Sequence, residues 1–188
     1  NKKKLNKITI LDLGCGGGLV SEGLSKLGAD VTGIDFVKDN INAAKIHAKK
    51  NNLTINYKKL NFETEKINSK FDVIVIFEVL EHLSNWKSFL EKIKLNLNPN
   101  GILIMSTINR NLFSKLLAID LAENFLKWIP NNTHTYHKFI KPEELDYILK
   151  KNSFKNINFQ GLEYQALKNK WQLSNNTRVN YFCDCKLA

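Results

Sequence analysis

The chain has 188 residues, of which 43% are hydrophobic and 24% charged, and its formal net charge is +10. This length fits one domain with a buried core, and the composition is that of an ordinary globular protein. The absence of an apolar run of 18 residues argues against a transmembrane helix, and the basic start lacks the apolar segment of a signal peptide.

The positive charge predicts attraction to an anionic partner, either a nucleic acid or a lipid surface. The lysines are spread along the chain rather than clustered, which disfavours nucleic acid. Three cysteines, Cys15, Cys183 and Cys185, are an odd and sparse set typical of a reducing compartment. The chain does not begin with Met, and we expect an N-terminal segment of the natural protein to be missing.

The first half of the chain alternates short apolar runs with amphipathic segments. This alternation predicts an α/β fold with a doubly wound, mostly parallel sheet, which binds ligands at the carboxyl ends of its strands. The predicted strands are residues 8–13, 30–36, 55–59, 71–77 and 102–107. The predicted helices are residues 19–27, 39–50 and 85–97, and residues 98–101 form a turn.

The pattern changes after residue 107. Residues 112–129 predict a long, mostly apolar helix that ends at Pro130, and Pro142 lies in the first turn of a further helix. Residues 154–162 and 178–185 predict two final strands, which can pair as a hairpin. We therefore expect a single domain over residues 1–188, with seven strands and an insertion at approximately 108–140.

A glycine-rich turn joins the first strand to the first helix and contains Gly14, Gly16, Gly17 and Gly18. Glycine lets the backbone approach a nucleotide-type ligand closely, and the helix N-terminus offers free N–H groups. Leu19 replaces the last glycine of the dinucleotide fingerprint, so the usual pyrophosphate site is excluded. A sulfonium cofactor such as S-adenosylmethionine has no phosphate, and Asp12 would match its charge or else brace the loop.

Three further residues complete the predicted cofactor site. Asp35 lies 21 residues after Gly14 at the end of the second strand, where a carboxylate accepts hydrogen bonds from ribose hydroxyls or caps the next helix. Asn61 follows the third strand and contacts an adenine ring or belongs to a plain loop. Phe77 ends the fourth strand and packs against the cofactor or belongs to the core. The combined pattern predicts S-adenosylmethionine as cofactor.

Glu78, Glu81 and His82 follow the fourth strand, where chemistry is expected. If the chain is helical there, the three side chains share one face and suit either a divalent cation or general acid–base work. Helix capping with a solvated acid pair is an equal alternative. His82, or His134 in the later loop, is a candidate to take the proton of an acceptor hydroxyl.

Several motifs together resemble the ubiquinone biosynthesis O-methyltransferase family over nearly the whole chain. They are ILDLGCGGG (10–18), GIDF (33–36), FEVLEHL (77–83), STINRN (106–111), THTYHKFIKPEEL (133–145) and GLEY (161–164). The first two are shared by many class I methyltransferases, whereas STINRN and the TH…FIKP pattern are much more specific.

The resemblance implies a class I methyltransferase fold and methylation of catechol-type hydroxyls on polyprenylated rings. The implied steps use 2-polyprenyl-6-hydroxyphenol and 3-demethylubiquinol. Gly14, Asp35 and Phe77 match cofactor contacts, although the family often has Met at the position of Phe77, which points to packing. Glu78, Glu81 and His82 match a cluster implicated in magnesium binding. The family also uses an upstream Arg that nothing here matches, which fits a missing N-terminal segment.

The resemblance also gives the predicted helix 112–129 a role. Its wide apolar arc, flanked by Lys115 and Lys127 and with Trp128 near its end, suits either a lid at a membrane interface or the core of the insertion. We therefore expect a cytoplasmic protein peripherally associated with the inner face of the membrane. Its expected partners are the polyprenylated phenol, an anionic membrane surface and other ubiquinone-biosynthesis proteins, with no nucleic acid.

Three alternatives stay open on the sequence. A nucleic-acid methyltransferase is disfavoured because FEVLEH stands where an adenine-N6 enzyme has Asn-Pro-Pro-aromatic, and because neither late cysteine has the context of a cytosine-C5 nucleophile. A non-catalytic, membrane-bound module that binds only the cofactor is disfavoured by the intact Glu78, Glu81 and His82. A methyltransferase acting on another small phenol is compatible with every motif outside the insertion.

Overall fold

The computed structural model describes residues 5–114, 136–165 and 169–188. These residues form one eight-stranded sheet with the strand order β3-β2-β1-β4-β5-β8-β6-β7. The strands are β1 (Thr9–Leu13), β2 (Asp30–Asp35), β3 (Asn56–Lys59), β4 (Phe71–Phe77), β5 (Leu97–Ile108), β6 (Phe154–Gln165), β7 (Lys170–Ser174) and β8 (Asn180–Leu187).

The first five strands pair in parallel, as the sequence predicts. The central strands are mostly apolar, as expected for strands with both faces covered. Leu11 of β1 and both Ile74 and Ile76 of β4 have no exposed surface. The carboxyl ends of these parallel strands therefore meet at one edge of the sheet, and the glycine turn and Glu78 lie there.

Within the described residues, four helices of eight or more residues cover the two faces, which confirms the doubly wound arrangement. They are α1 (Leu19–Lys26), α2 (Lys38–Lys50), α3 (Trp86–Ile93) and α4 (Pro142–Lys151). Ile10 packs with Leu24 of α1, whereas the next residue, Leu11, belongs to the cluster that contains Leu90 of α3 and Leu149 of α4. Successive strand residues point to opposite faces, so α1 lies on one face and α3 and α4 lie on the other.

The remaining strands extend the sheet antiparallel to its central part. β8 pairs antiparallel with β5, and β6 pairs antiparallel with β8, so the two predicted final strands are neighbours. They are not a hairpin, because β7 lies between them in the chain and pairs with β6. The sequence does not predict β7, because its Trp171 and Leu173 are more than half exposed at the sheet edge and so give no pattern of burial.

The predicted turn at residues 98–101 lies inside β5 rather than before it. Leu97 already pairs with Phe71, and pairing resumes between Ile102 and Val73, so the intervening residues form an irregularity in the ladder. Asn100 takes a φ of +61° there.

Of the predicted helix 112–129, the structure describes one helical turn, Leu112–Ser114, and residues 115–135 lie outside the described residues. The predicted interfacial role of this helix therefore stays a prediction. Within the described ranges, no helix combines the length and the apolar character needed to cross a bilayer.

Candidate active site

The glycine turn is fixed against the second strand. The backbone N–H groups of Gly14 and Cys15 both donate to the carbonyl of Ile34, at 2.8 and 3.1 Å. Gly14 has a φ of +70°, and a Cβ at this position would lie 2.3 Å from a methyl group of Val79. Only glycine allows the turn to approach the segment after β4 this closely.

Asp35 connects the glycine turn to the start of α2. One carboxylate oxygen accepts from the N–H of Gly16 at 3.0 Å, and the other accepts from the N–H of Val37 at 2.8 Å. The positions above Gly16 and Gly17 face open space, since a Cβ at either would meet nothing within 4 Å. A ligand laid over this turn would therefore lie beside the Asp35 carboxylate.

Asp12 is directed into the fold rather than toward the open side of the turn. It is 3% exposed, and the Ser21 hydroxyl of α1 donates to it at 2.6 Å. Burial raises the pKa of Asp12 to about 6, and the hydrogen bond from Ser21 opposes that rise. Of the two interpretations the sequence left open, this geometry favours bracing of β1 against α1.

Asn61 lies at the same edge of the sheet, directly after Leu60, whose N–H donates to the carbonyl of Asp35 at 3.0 Å. Its side-chain oxygen accepts from the N–H of Glu63, and Glu63 in turn accepts from the N–H of Ser84 at 2.8 Å. The loop after β3 is therefore tied to the segment after β4, and Asn61 lies at the same edge of the sheet as the glycine turn.

Phe77 makes an edge-to-face contact with Phe182 of β8, with ring centroids 5.6 Å apart. This contact gives Phe77 a packing role at the end of β4. Phe182 is not predictable from the sequence, because an aromatic residue in a half-buried strand gives no functional signal.

Glu78 turns the chain away from β4 with a φ of +53°, a conformation that non-glycine residues rarely adopt. Its carboxylate accepts from the Ser106 hydroxyl at 2.6 Å and from the Asn180 side-chain amide at 3.3 Å. Its backbone N–H also donates to the Ser106 side chain at 3.1 Å. Glu78 is nevertheless an exposed residue, so its carboxylate is held by the protein at an exposed position.

Glu81 is buried, with 2% of its surface exposed, and accepts from the Thr107 hydroxyl at 2.7 Å. Its second carboxylate oxygen has no hydrogen-bond partner among the described residues. Burial raises the pKa of Glu81, while the hydrogen bond from Thr107 opposes the rise. A buried carboxyl of this kind is stabilised in its protonated form.

Glu78 and Glu81 do not converge. Their partners, Ser106 and Thr107, are consecutive residues of β5, so the two hydroxyls point to opposite faces of the sheet. The predicted helical face is not formed either, because only Leu80–His82 make a short 3-10 turn and Glu78 precedes it in a left-handed conformation.

These contacts do not support the sequence prediction of a magnesium site on Glu78, Glu81 and His82. Within the described ranges, no group of three His, Cys, Asp or Glu side chains is placed to hold a metal ion. The three residues present do not fit one ion, since Glu81 bonds into the core and Glu78 bonds across the other face. His82 is exposed, and His134 lies outside the described residues.

The loop before β8 closes the same edge of the sheet. The backbone N–H and side chain of Asn109 donate to the carbonyls of Val179 and Thr177, both at 2.8 Å. The side chain of Asn111 donates to the carbonyl of Arg178 at 2.7 Å. The asparagines of the STINRN motif thus hold a loop 67 and 68 residues further along the chain, a role that the motif alone does not indicate.

A separate cleft of about 410 Å³ runs along β2 and β3, from Asp30 and Asn56 at their beginnings to Ile34 and Leu60 near their carboxyl ends. Neither the residues of the glycine turn nor Asp35 line it. The cleft is therefore not the candidate cofactor site.

Comparison with known proteins agrees with this arrangement. A family model described as a methyltransferase domain matches residues 2–158. Among solved structures, magnesium protoporphyrin IX methyltransferase from Synechocystis PCC 6803 with bound SAH superposes with a TM-score of 0.73, at 18% identity, covering 98% of this chain and 76% of that one. The plantazolicin methyltransferase in complex with SAH gives 0.70 at 20% identity, covering 96% and 76%. The fold and the glycine turn together identify this chain as a class I S-adenosylmethionine-dependent methyltransferase.

Sequence relatives narrow the class. The ubiquinone biosynthesis O-methyltransferase of Pelagibacter ubique is 46% identical over 179 residues, which are 95% of this chain and 75% of that protein. The enzyme of the same name from Rickettsia prowazekii is 42% identical over 97% of this chain and 72% of its own length. The chain belongs to the ubiquinone biosynthesis O-methyltransferase family.

Proposed function

We propose that this protein transfers a methyl group from S-adenosylmethionine to a phenolic hydroxyl of a polyprenylated ubiquinone precursor. The acceptors are 2-polyprenyl-6-hydroxyphenol and 3-demethylubiquinol. The observation that carries the proposal is the Asp35 carboxylate, which accepts a hydrogen bond from Gly16 beside the open glycine turn. The acceptor is inferred from the relatives, which are named ubiquinone biosynthesis O-methyltransferase. Asp35 would bind the ribose, Gly14 and Gly16 would line the donor site, and Asn61 and Phe77 would flank it.

The reaction needs alignment more than activation, because the sulfonium donor already carries a good leaving group. The phenolic oxygen forms a bond to the methyl carbon, the methyl–sulfur bond breaks, and neutral S-adenosylhomocysteine leaves. The phenolic proton must be accepted by a base at the carboxyl end of β4. The exposed Glu78 carboxylate is the described group best placed for this, and His82 and His134 are the other candidates.

A labelled methyl donor tests the proposal with three acceptors: a short-chain prenylated catechol, the same catechol without the prenyl chain, and an unrelated phenol. We expect the prenylated catechol to have the highest kcat/KM. Equal turnover of the unrelated phenol would instead support a methyltransferase of another small phenol. Binding of the donor with no transfer to any acceptor would support a non-catalytic module.

The same assay with a chelator decides whether magnesium takes part, since the described residues do not supply the three-ligand site that the sequence predicts.

Glu78→Gln should lower kcat strongly while S-adenosylhomocysteine still binds, because the change removes a base and not a contact to the methyl donor. Glu91→Gln, on the exposed surface of α3, is the matched control and should leave both values unchanged.

We also propose that the protein works at the inner face of the cytoplasmic membrane, beside other enzymes of the pathway. A polyprenylated acceptor resides in lipid, and the net charge of +10 favours an anionic surface. The apolar sequence of residues 112–129 supports contact with that surface.

A further inference from the structure

We propose that Asn180, at the start of the last strand, is a positioning residue that holds the Glu78 carboxylate in place for methyl transfer. The inference rests on the proposed function, because it assigns Asn180 a part in the same reaction. It extends that function to a residue 102 positions away from Glu78 in the chain.

The carboxylate of Glu78 spans three neighbouring strands. It leaves from the end of β4, one oxygen accepts from Ser106 of β5, and the other accepts from the Asn180 amide of β8. Ser106 pairs with Phe182, two residues after Asn180, so both donors lie on the same face of the sheet. Each carboxylate oxygen thus accepts one of these two hydrogen bonds.

Asn180 is itself firmly placed. It pairs with Ile108 of β5 on one side and with Leu162 of β6 on the other. The loop that precedes it is held by the side chains of Asn109 and Asn111. The amide that meets Glu78 is therefore carried by a paired strand and not by a free loop end.

This placement suits a reaction role better than a purely structural one. Glu78 is exposed, and an exposed carboxylate on a flexible side chain would sample several rotamers. Two fixed donors select one of them, which is what an aligned proton acceptor requires. At an exposed site such a hydrogen bond adds little to the free energy of unfolding, so stability alone does not explain it.

The test compares Asn180→Ala and Asn180→Asp with the wild type. Asn180→Ala removes one charge-assisted hydrogen bond and should lower kcat about tenfold, with little change in S-adenosylhomocysteine affinity. Asn180→Asp places a second carboxylate beside Glu78 and should lower kcat further. The matched control is Asn158→Ala. Asn158 of β6 donates to Asp184 of β8 at 3.0 Å, and Asp184 lies four residues beyond Asn180 in the same strand. Loss of this hydrogen bond should leave kcat unchanged.

A double-mutant cycle separates action through Glu78 from a general effect. In a Glu78→Ala background, Asn180→Ala should cost nothing further, since its partner is gone. An equal loss of kcat in both backgrounds would overturn the proposal, and so would a loss of donor affinity that matches the loss of kcat.

The cycle is measured with the prenylated catechol and with the catechol that lacks the chain. If only the simple catechol is turned over, the assigned substrate fails while the cycle on that acceptor still decides the role of Asn180. If neither is turned over, the proposed function and the role of Asn180 in transfer both fail.

The side-chain amide signal of Asn180 in NMR spectra gives a readout without turnover. It should move in Glu78→Ala, and an unmoved signal would overturn the contact alone.

Discussion

Asp12 is a carboxyl group whose ionisation the fold disfavours. Its environment is the buried junction of β1 and α1, where Ser21 is a hydrogen-bond donor to it. Burial raises its pKa to about 6 from a usual value of 3.8. The folded state therefore binds this proton more tightly than the unfolded chain, so the contribution of Asp12 to stability is full below about pH 4 and falls as the pH rises to about 6.

Asp12→Asn tests this linkage, because the amide oxygen can still accept from Ser21 while the buried charge is removed. Above pH 7 the variant should be more stable than the wild type by up to about 3 kcal/mol, and near pH 4 the two should be equal. Urea unfolding at the two pH values measures the difference. A difference that does not change with pH would contradict the assignment.

The same variant decides the question that the sequence left open about Asp12. If the residue only braces the turn, donor affinity should stay within about twofold of the wild type, since its hydrogen bond is kept. If the carboxylate faces the sulfonium, removing the charge should weaken binding of S-adenosylmethionine more than binding of neutral S-adenosylhomocysteine. Isothermal calorimetry with both ligands separates the two roles.

At the scale of elements, the contact between β6 and the loop before β8 is unusually close. A Cβ on Gly161 would lie 1.7 Å from the backbone oxygen of Asn176, so the loop crosses directly over this glycine. Gly161→Ala must push the loop outward, at a cost of about 1–3 kcal/mol for overpacking. Turnover should fall as well, because the displaced loop leads into Asn180.

The control for Gly161→Ala is Gly23→Ala in α1, where the added methyl group meets nothing within 4 Å. That change should stabilise the protein by up to about 1 kcal/mol, since alanine favours the helix. Urea unfolding and the methyl-transfer assay are run on both variants. A Gly161→Ala protein as stable and as active as the wild type would show that the loop does not depend on this contact.

The sequence predicts the parallel half of the sheet well because its strands are buried on both faces. The run from Phe71 to Phe77 is apolar except for Asp72, and no other element type fits it between turn signals. The edge strand β7 was missed because its residues are exposed on both faces and follow no buried period. Pairing across the antiparallel half depends on contacts between distant residues, which local patterns do not encode.

For the site, the sequence predicted which residues meet at one edge but not which way they point. Glu78 and Glu81 are three residues apart, and only the partner strand shows that their hydroxyl donors, Ser106 and Thr107, face opposite ways. A helical spacing rule fails here, because Glu78 takes a left-handed conformation before the turn begins. Asn180 could not be found at all, since its role follows from the strand order.

At the scale of the whole molecule, the net charge of +10 is the feature that acts over distance. We expect the protein to bind vesicles that contain anionic lipid and not vesicles of neutral lipid. Binding should weaken as salt rises from about 0.1 M to about 1 M, because the Debye length falls from about 10 Å to about 3 Å. Vesicle sedimentation measures the bound fraction of the protein at each salt concentration.

Substitutions of two tryptophans then distinguish the contribution of charge to vesicle binding from that of apolar contact with the bilayer. Trp128 belongs to the apolar sequence 112–129, whereas Trp171 is 62% exposed on the edge strand β7. If the apolar segment enters the interface, Trp128→Ser should weaken binding to anionic vesicles and Trp171→Ser should not, since an interfacial aromatic ring is lost only in the first. Equal binding by both variants, with full release at high salt, would assign the attraction to charge alone and remove the apolar segment from the membrane contact.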